Sequence, residues 1–142
     1  VINEEDSITV AHRNLTAFEF DATNCPDLFP ALAALAAAAE GTSVITGTSR
    51  LEHKESNRAE TLREEYAKLG IDIDIDTENV MKVHGGKIHA AEVDGHSDHR
   101  IAMSLAVSAL RSDGEVTIKG AECVSKSYPD FFEDLESLRV KE

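Results

Sequence analysis

The sequence predicts an α/β (α+β) fold made of a repeated βαβαββ unit, and three observations carry that expectation. Residues 71–76, Ile-Asp-Ile-Asp-Ile-Asp, alternate strictly, as a strand with one buried face does. Two Ala-rich segments, after Asp27 and after Asp98, have the length and apolar content of closely packed helices. Each is followed by a short strand between glycines: Gly114, Ile118 and Gly120 follow Gly41, Ile45 and Gly47 at one constant offset. Asp98 follows Asp27, and Lys126 follows Lys54, at nearly that same offset, so a whole supersecondary segment recurs.

In chain order, Val10 and residues 15–20 read as extended, with Phe18 and Phe20 on one face. A loop over residues 21–26 leads to Pro26, which suits the first turn of a helix over 27–40. Pro30 lies early enough in that helix to be tolerated, and Gly41 stops it. Residues 42–47 form a short strand. A helix over 56–69 carries Leu62, Tyr66 and Leu69 at helical spacing and ends at Gly70. Strands follow at 71–76, 80–83 and 87–93, bounded by Asn79 and the Gly85-Gly86 pair. The pattern then recurs as a helix over 98–110, a strand over 114–120 and a helix over 128–135. Residues 1–142 therefore read as a single partial domain. A first unit covers about 15–86, and a second over 87–142 lacks its closing strand pair. That lack, with a start at Val1 rather than Met, leads to the expectation of a piece of a longer chain.

Composition narrows the function. Against 14 Lys and Arg stand 27 Asp and Glu, a net charge of −13, which argues against a nucleic-acid partner. No apolar run approaches the roughly 20 residues of a membrane span. Cys25 and Cys123 show neither a CxxC motif nor metal-ligand spacing, so they read as reduced thiols in a cytoplasmic protein without metal or cofactor. Within this acidic chain, cations gather beside turns and helix starts: Arg50-Leu-Glu-His-Lys-Glu-Ser-Asn-Arg58, Ser97-Asp-His-Arg100 and Lys126-Ser-Tyr-Pro129. Such junctions suit a phosphate or carboxylate ligand, because unpaired backbone N–H groups add to the side-chain charge. Scattered, solvated Lys and Arg are the alternative.

Four motifs in order, Asp-Ala-Thr-Asn-Cys-Pro-Asp-Leu at 21–28, Arg50-Leu-x-x-Lys-Glu-Ser-x-Arg58, Asp98-His-Arg-Ile-Ala-Met103 and Lys126-Ser-Tyr-Pro-Asp-Phe-Phe132, resemble the C-terminal third of the EPSP synthase family. The resemblance runs from about residue 15 to residue 138. It implies the enolpyruvyltransferase fold, two domains of three βαβαββ units with substrates between them, of which this chain would supply two units. The implied reaction moves the enolpyruvyl group of phosphoenolpyruvate to the 5-hydroxyl of shikimate 3-phosphate. By that resemblance, Arg58, Arg100 and Lys126 bind phosphoenolpyruvate, and Lys54 and Asp27 bind shikimate 3-phosphate. Asp27 also takes the hydroxyl proton, and Glu55 exchanges a proton with the methylene carbon. His99 and Arg50 are further possible contacts. On the residues alone, Arg58 could instead pair with Glu55 or Glu60 on its helix. Asp27 could simply complement a helix dipole. The implied partners are the two anionic substrates and the remainder of the protein's own chain, with no nucleic acid and no membrane, and the piece alone is expected to be inactive. An enolpyruvyltransferase acting on a UDP-amino sugar and a non-catalytic module for phosphorylated metabolites are the competing readings.

Overall fold

The computed structural model describes residues 1–11 and 13–139. It opens on a short antiparallel hairpin that the sequence did not suggest, β1 (Ile2–Asn3) against β2 (Ile8–Thr9). Its turn is closed by the Glu4 N–H donating to the Ser7 carbonyl at 2.8 Å. Ile2 and Ile8 are exposed, so there is no buried face to leave a period-two pattern.

The first unit runs β3 (Glu19–Asp21), α1 (Phe29–Ala37), β4 (Thr42–Thr46), α2 (Arg58–Lys68), β5 (Asp72–Asp74) and β6 (Val80–His84). Its sheet has the order β3-β4-β6-β5, with β3 and β4 parallel and the other pairs antiparallel. The helix expected from residue 27 begins as a 3-10 turn, Pro26–Leu28, and becomes α-helical at Phe29. Pro30 is the cause: it has no N–H to give the Pro26 carbonyl, which instead takes a tighter bond from Phe29 N–H. The helix also stops before residue 40, because Glu40 is drawn into an extended bridge with Thr16. Downstream, Leu62, Tyr66 and Leu69 are fully buried as their spacing predicts, and Gly70 follows α2 at φ +82°. Ile71 and Ile73 are buried while Asp72 is exposed, as the alternation predicts, but the strand expected over 71–76 is limited to β5, and Asp74 and Ile75 are both half-buried.

The second unit runs β7 (Ala91–Asp94), α3 (His99–Ala109), β8 (Val116–Lys119) and α4 (Phe131–Ser137), with β7 and β8 parallel. The expected strand over 87–93 is cut short at its front. Asp113 Oδ1 accepts the Ala90 N–H at 2.9 Å and removes it from the ladder, leaving Ile88 in a single bridge to Ser112. α4 begins at residue 131 rather than 128. Tyr128 precedes a proline and closes the preceding 3-10 turn, Ala121–Lys126, through its N–H to the Val124 carbonyl.

The two units match in register. The pairs Thr16↔Glu40 and Glu19↔Val44 recur as Ile88↔Ser112 and Ala91↔Val116, with all four partners displaced by the same number of positions. The closing glycines stand one position further apart than that. The second ladder runs one pair longer, to Asp94↔Lys119, before Gly120 turns at φ +67°. The Ala-rich helices α1 and α3 pack against one another. Their small buried faces (Ala33, Ala36, Ala37 and Ala102) allow that approach. Tyr66 ties α2 to α3, its hydroxyl 2.8 Å from Ser108 Oγ. At the end of β6, a Cβ on Gly85 would overlap the Ala39 carbonyl oxygen, so the chain passes there only as glycine.

Candidate active site

Arg58 is the first residue of α2, and its side chain is fully buried although charged. A buried guanidinium needs anionic partners, and it has three. Its Nε donates to Asp98 Oδ2 at 2.8 Å and its Nη2 to Asp98 Oδ1 at 3.2 Å, a bidentate pair with a carboxylate that is itself fully buried. Its Nη1 donates to Asp27 Oδ1 at 2.8 Å, and Nη2 also donates to Glu55 Oε2 at 2.6 Å. Four N–H···O bonds thus draw together the starts of α1, α2 and α3. Asp98 additionally caps α3, accepting the Arg100 N–H at 3.0 Å, and accepts from Ser56 Oγ at 2.9 Å.

Asp27, half-exposed in the 3-10 turn before α1, is the point where the cations meet. Lys54 Nζ lies 3.2 Å from its Oδ1, and Arg100 Nη2 lies 3.8 Å from its Oδ2. Burial pushes its carboxyl up, but the hydrogen bonds from Arg58 and Lys54 and the charges of Lys54 and Arg100 outweigh that. The net effect holds Asp27 below the ordinary carboxylate range. Asp98 is lowered in the same way, with burial opposed chiefly by the hydrogen bond and charge of Arg58.

The cluster therefore gathers Asp27, Lys54, Glu55, Arg58 and Arg100. Arg58 does form the pair with Glu55 that its helix position allowed, whereas Glu60 pairs with Arg63. Lys126 lies at the end of the 3-10 turn Ala121–Lys126, and its Nζ donates to the Ser97 carbonyl, just before α3, at 2.6 Å. Arg50 is set apart: its Nη1 donates to the Thr23 carbonyl at 3.2 Å, on the loop leading to Asp27. His99, at the first position of α3, is only 7% exposed, and its Nδ1 has no hydrogen-bond partner. Native folds seldom leave such an atom unsatisfied. Cys123 is buried, and Cys25 packs partly buried against the core; both are free thiols.

Sequence reasoning did not foresee Asp98 as the partner of Arg58, or Ser56 as a further donor to Asp98. The available signal was an Asp at a helix start beside His-Arg, but a pair 40 residues apart leaves no trace in local spacing. A second buried carboxylate, Glu65 of α2, was also missed. Its Oε1 lies 2.7 Å from His96 Nε2 and its Oε2 accepts the Asp94 N–H at 2.8 Å, while Lys68 Nζ reaches both oxygens at 2.7 and 2.8 Å. Burial raises this carboxyl, yet the bonds from Lys68, His96 and Asp94 N–H bring it below its ordinary value. The connection it holds carries His96 at φ +52° and Ser97 at φ +55°, two consecutive left-handed residues that each cost about 1–3 kcal/mol unless held from outside.

Beside the cluster, a groove of about 620 Å³ runs between α1 and α3. Ala31, Leu35, Met103 and Val107 line it, and Asp27 and Arg100 also border it. An apolar trough with charges at its border can combine burial of a ligand's or partner's apolar surface with recognition of its anionic groups.

The family model described as EPSP synthase (3-phosphoshikimate 1-carboxyvinyltransferase) matches residues 1–135. Among curated relatives, the chain is 43% identical over 138 residues to 3-phosphoshikimate 1-carboxyvinyltransferase of Methanocella arvoryzae, covering 97% of this chain and 32% of that one. It is 42% identical over 136 residues to that of Clostridium acetobutylicum, again covering 32% of the relative. The chain thus spans about a third of the length of the curated relatives it matches. Among solved structures, EPSP synthase from Acinetobacter baumannii is 37% identical with a TM-score of 0.70, over 77% of this chain and 26% of that one. The enolpyruvyl transferase NikO from Streptomyces tendae is 26% identical with a TM-score of 0.67, over 90% of this chain and 29% of that one.

Proposed function

The chain belongs to the EPSP synthase family, and from that premise we propose that it supplies one wall of an active site transferring the enolpyruvyl group of phosphoenolpyruvate to the 5-hydroxyl of shikimate 3-phosphate. The observation that carries the reading is the meeting of Lys54, Arg58 and Arg100 on the single carboxylate of Asp27. Both substrates are anions, and these are the cations to receive them. Arg100 and Lys54 are partly open to solvent and Lys126 is exposed, so they meet an incoming phosphate or carboxylate directly. Arg58 is different. Four of its five N–H groups are already engaged by carboxylates and its side chain is fully buried, so it contacts substrate only as Asp27 and Glu55 give way.

That exchange gives Asp27 its chemistry. With cations around it the carboxylate is a weak base. When an anionic substrate draws Lys54 and Arg100 away, its proton affinity rises at the moment a hydroxyl must be deprotonated. In the addition step Asp27 takes the hydroxyl proton as the oxygen bonds to the central carbon of phosphoenolpyruvate, and Glu55, which takes up a proton from solvent as it leaves Arg58, gives that proton to the methylene carbon. In the elimination step that carbon returns a proton to Glu55 and phosphate leaves, taking up the proton held by Asp27.

Since the relatives are about three times as long, the remainder of the protein's own chain is the partner that completes the cleft and covers the groove between α1 and α3. Among the described residues no helix is long and apolar enough to cross a membrane, and the chemistry fits a cytoplasmic metabolic enzyme. The test is steady-state kinetics of the full-length enzyme. Asp27→Ala should lower kcat about 10²–10⁴-fold with little change in KM, while Arg100→Ala should raise the phosphoenolpyruvate KM. Near-normal kcat in Asp27→Ala would leave Asp27 as a helix-start carboxylate. The isolated chain should release no phosphate from the two substrates.

A further inference from the structure

We propose that Glu65 is a positioning residue of this site. It contacts none of the proposed ligand-binding groups, and acts through the connection over residues 95–98 to set Asp98, and through Asp98 the buried Arg58. The argument is one of continuous contacts. Glu65 accepts the last N–H of β7, that of Asp94, and holds the His96 ring two residues later. Asp94 Oδ1 in turn accepts the His96 N–H at 2.6 Å, and Asp98 N–H donates to the Gly95 carbonyl at 2.9 Å. The connection must then deliver three things at once: the Ser97 carbonyl to Lys126, the Asp98 carboxylate to Arg58, and the first turn of α3 with His99 and Arg100.

Two features separate this from ordinary loop support. His96 and Ser97 both take a left-handed backbone that an L side chain rarely adopts, so the turn does not hold this shape on local preference alone. The corresponding connection in the first unit, over residues 22–25, contains no positive φ, and it delivers an Asp27 that is half-exposed. Of these two connections, left-handed backbone at non-glycine residues is thus confined to the one that leads to a fully buried carboxylate. Lys68 also lies against both Glu65 oxygens, so the carboxylate is already neutralised and is free to serve as an acceptor for the turn.

The functional consequence rests on the reading of the Arg58 cluster as an anion site, but the positioning itself is measured without a ligand. The probe is solvent exchange of the Arg58 Nε–H, which is buried against Asp98, followed by NMR together with titration by inorganic phosphate. In Glu65→Ala this exchange should quicken by about tenfold or more as the turn relaxes, and phosphate shifts at residues 97–100 should need higher concentrations. Glu65→Gln keeps an acceptor for the Asp94 N–H and should stay within about threefold of the parent. Adding Ser97→Gly to Glu65→Ala should restore slow exchange, because glycine accepts positive φ while its carbonyl still serves Lys126. If Glu65→Ala does not fold, Glu65→Asp, which retracts the carboxylate by one methylene, is read the same way. Unchanged Arg58 exchange in a destabilised variant, or failure of Ser97→Gly to restore it, overturns the proposal and leaves Glu65 as core structure. Phosphate that shifts nothing in the parent chain overturns the anion-site reading instead, while the exchange measurement still decides the role of Glu65.

Discussion

The starts of α1 and α3 are the same place in a repeated unit, and they carry opposite chemistry. Pro26, Asp27 and Leu28 stand where Asp98, His99 and Arg100 stand in the second unit. At α1 a proline opens the turn and no side chain caps it, so its carboxylate is left half-exposed with cations around it. At α3 the carboxylate comes one position earlier, caps the helix and is fully buried. Lys54 and Lys126 are likewise equivalent, yet one reaches Asp27 and the other the Ser97 carbonyl. Arg58 has no basic counterpart: Asp130 holds the equivalent position in the second unit. The two copies have thus diverged, one holding an accessible carboxylate and the other a buried one, with Arg58 joining them.

The most severe way to break this arrangement is Arg58→Leu, which leaves Asp98 buried without a counter-charge. It should cost about 3–5 kcal/mol in urea unfolding. Asp98→Asn keeps the cap but loses the charge pairing, and should cost about 2–3 kcal/mol. The double variant Arg58→Leu/Asp98→Asn should cost clearly less than the two added together; additivity would mean that the pair is not coupled. Acid should act in the same direction. Asp27, Asp98 and Asp113 all have folded pKa values below the usual 3.8, that of Asp113 at about 2, owing first to the Ala90 N–H and then to His89. Lowered values of this kind contribute stability that is complete above the unfolded pKa and is lost as pH falls through the folded one. Stability should therefore decline from about pH 4 toward pH 2, and Asp113→Asn should flatten that decline in pH-dependent unfolding. Asp27→Asn should have the smallest effect, under about 1 kcal/mol, because its carboxylate is half in water. A cost equal to that of Asp98→Asn would erase the distinction between the two helix starts.

Elements with a buried face were legible in the sequence. The alternation at residues 71–73, the spacing of Leu62, Tyr66 and Leu69, and the repeated Gly-strand-Gly segment all reflect burial on a regular period. Where side chains face water, as in β1 and β2, or where one side chain overrides the ladder, as Asp113 does at Ala90, periodicity has nothing to report. The same limit applies to the site. Residue type marked Asp27, Lys54, Arg58 and Arg100 as charged groups at helix starts, and the motifs joined them to a family. That Arg58 is buried, and that Asp98 and Glu65 hold the second helix start in place, depends on contacts between residues distant in sequence that only the folded chain brings together.

Gly85 marks a different kind of limit, one on heredity. Any β-carbon there would run into the Ala39 carbonyl oxygen and come within 2.7 Å of the Ala36 carbonyl oxygen, both backbone atoms, so no rotamer change can make room. In a library of all single substitutions its codon should tolerate synonymous changes alone, whereas the neighbouring Gly86, with open space around it, should accept many. A drifting lineage could redecorate most of this surface and still be obliged to carry that one hydrogen in place of a side chain.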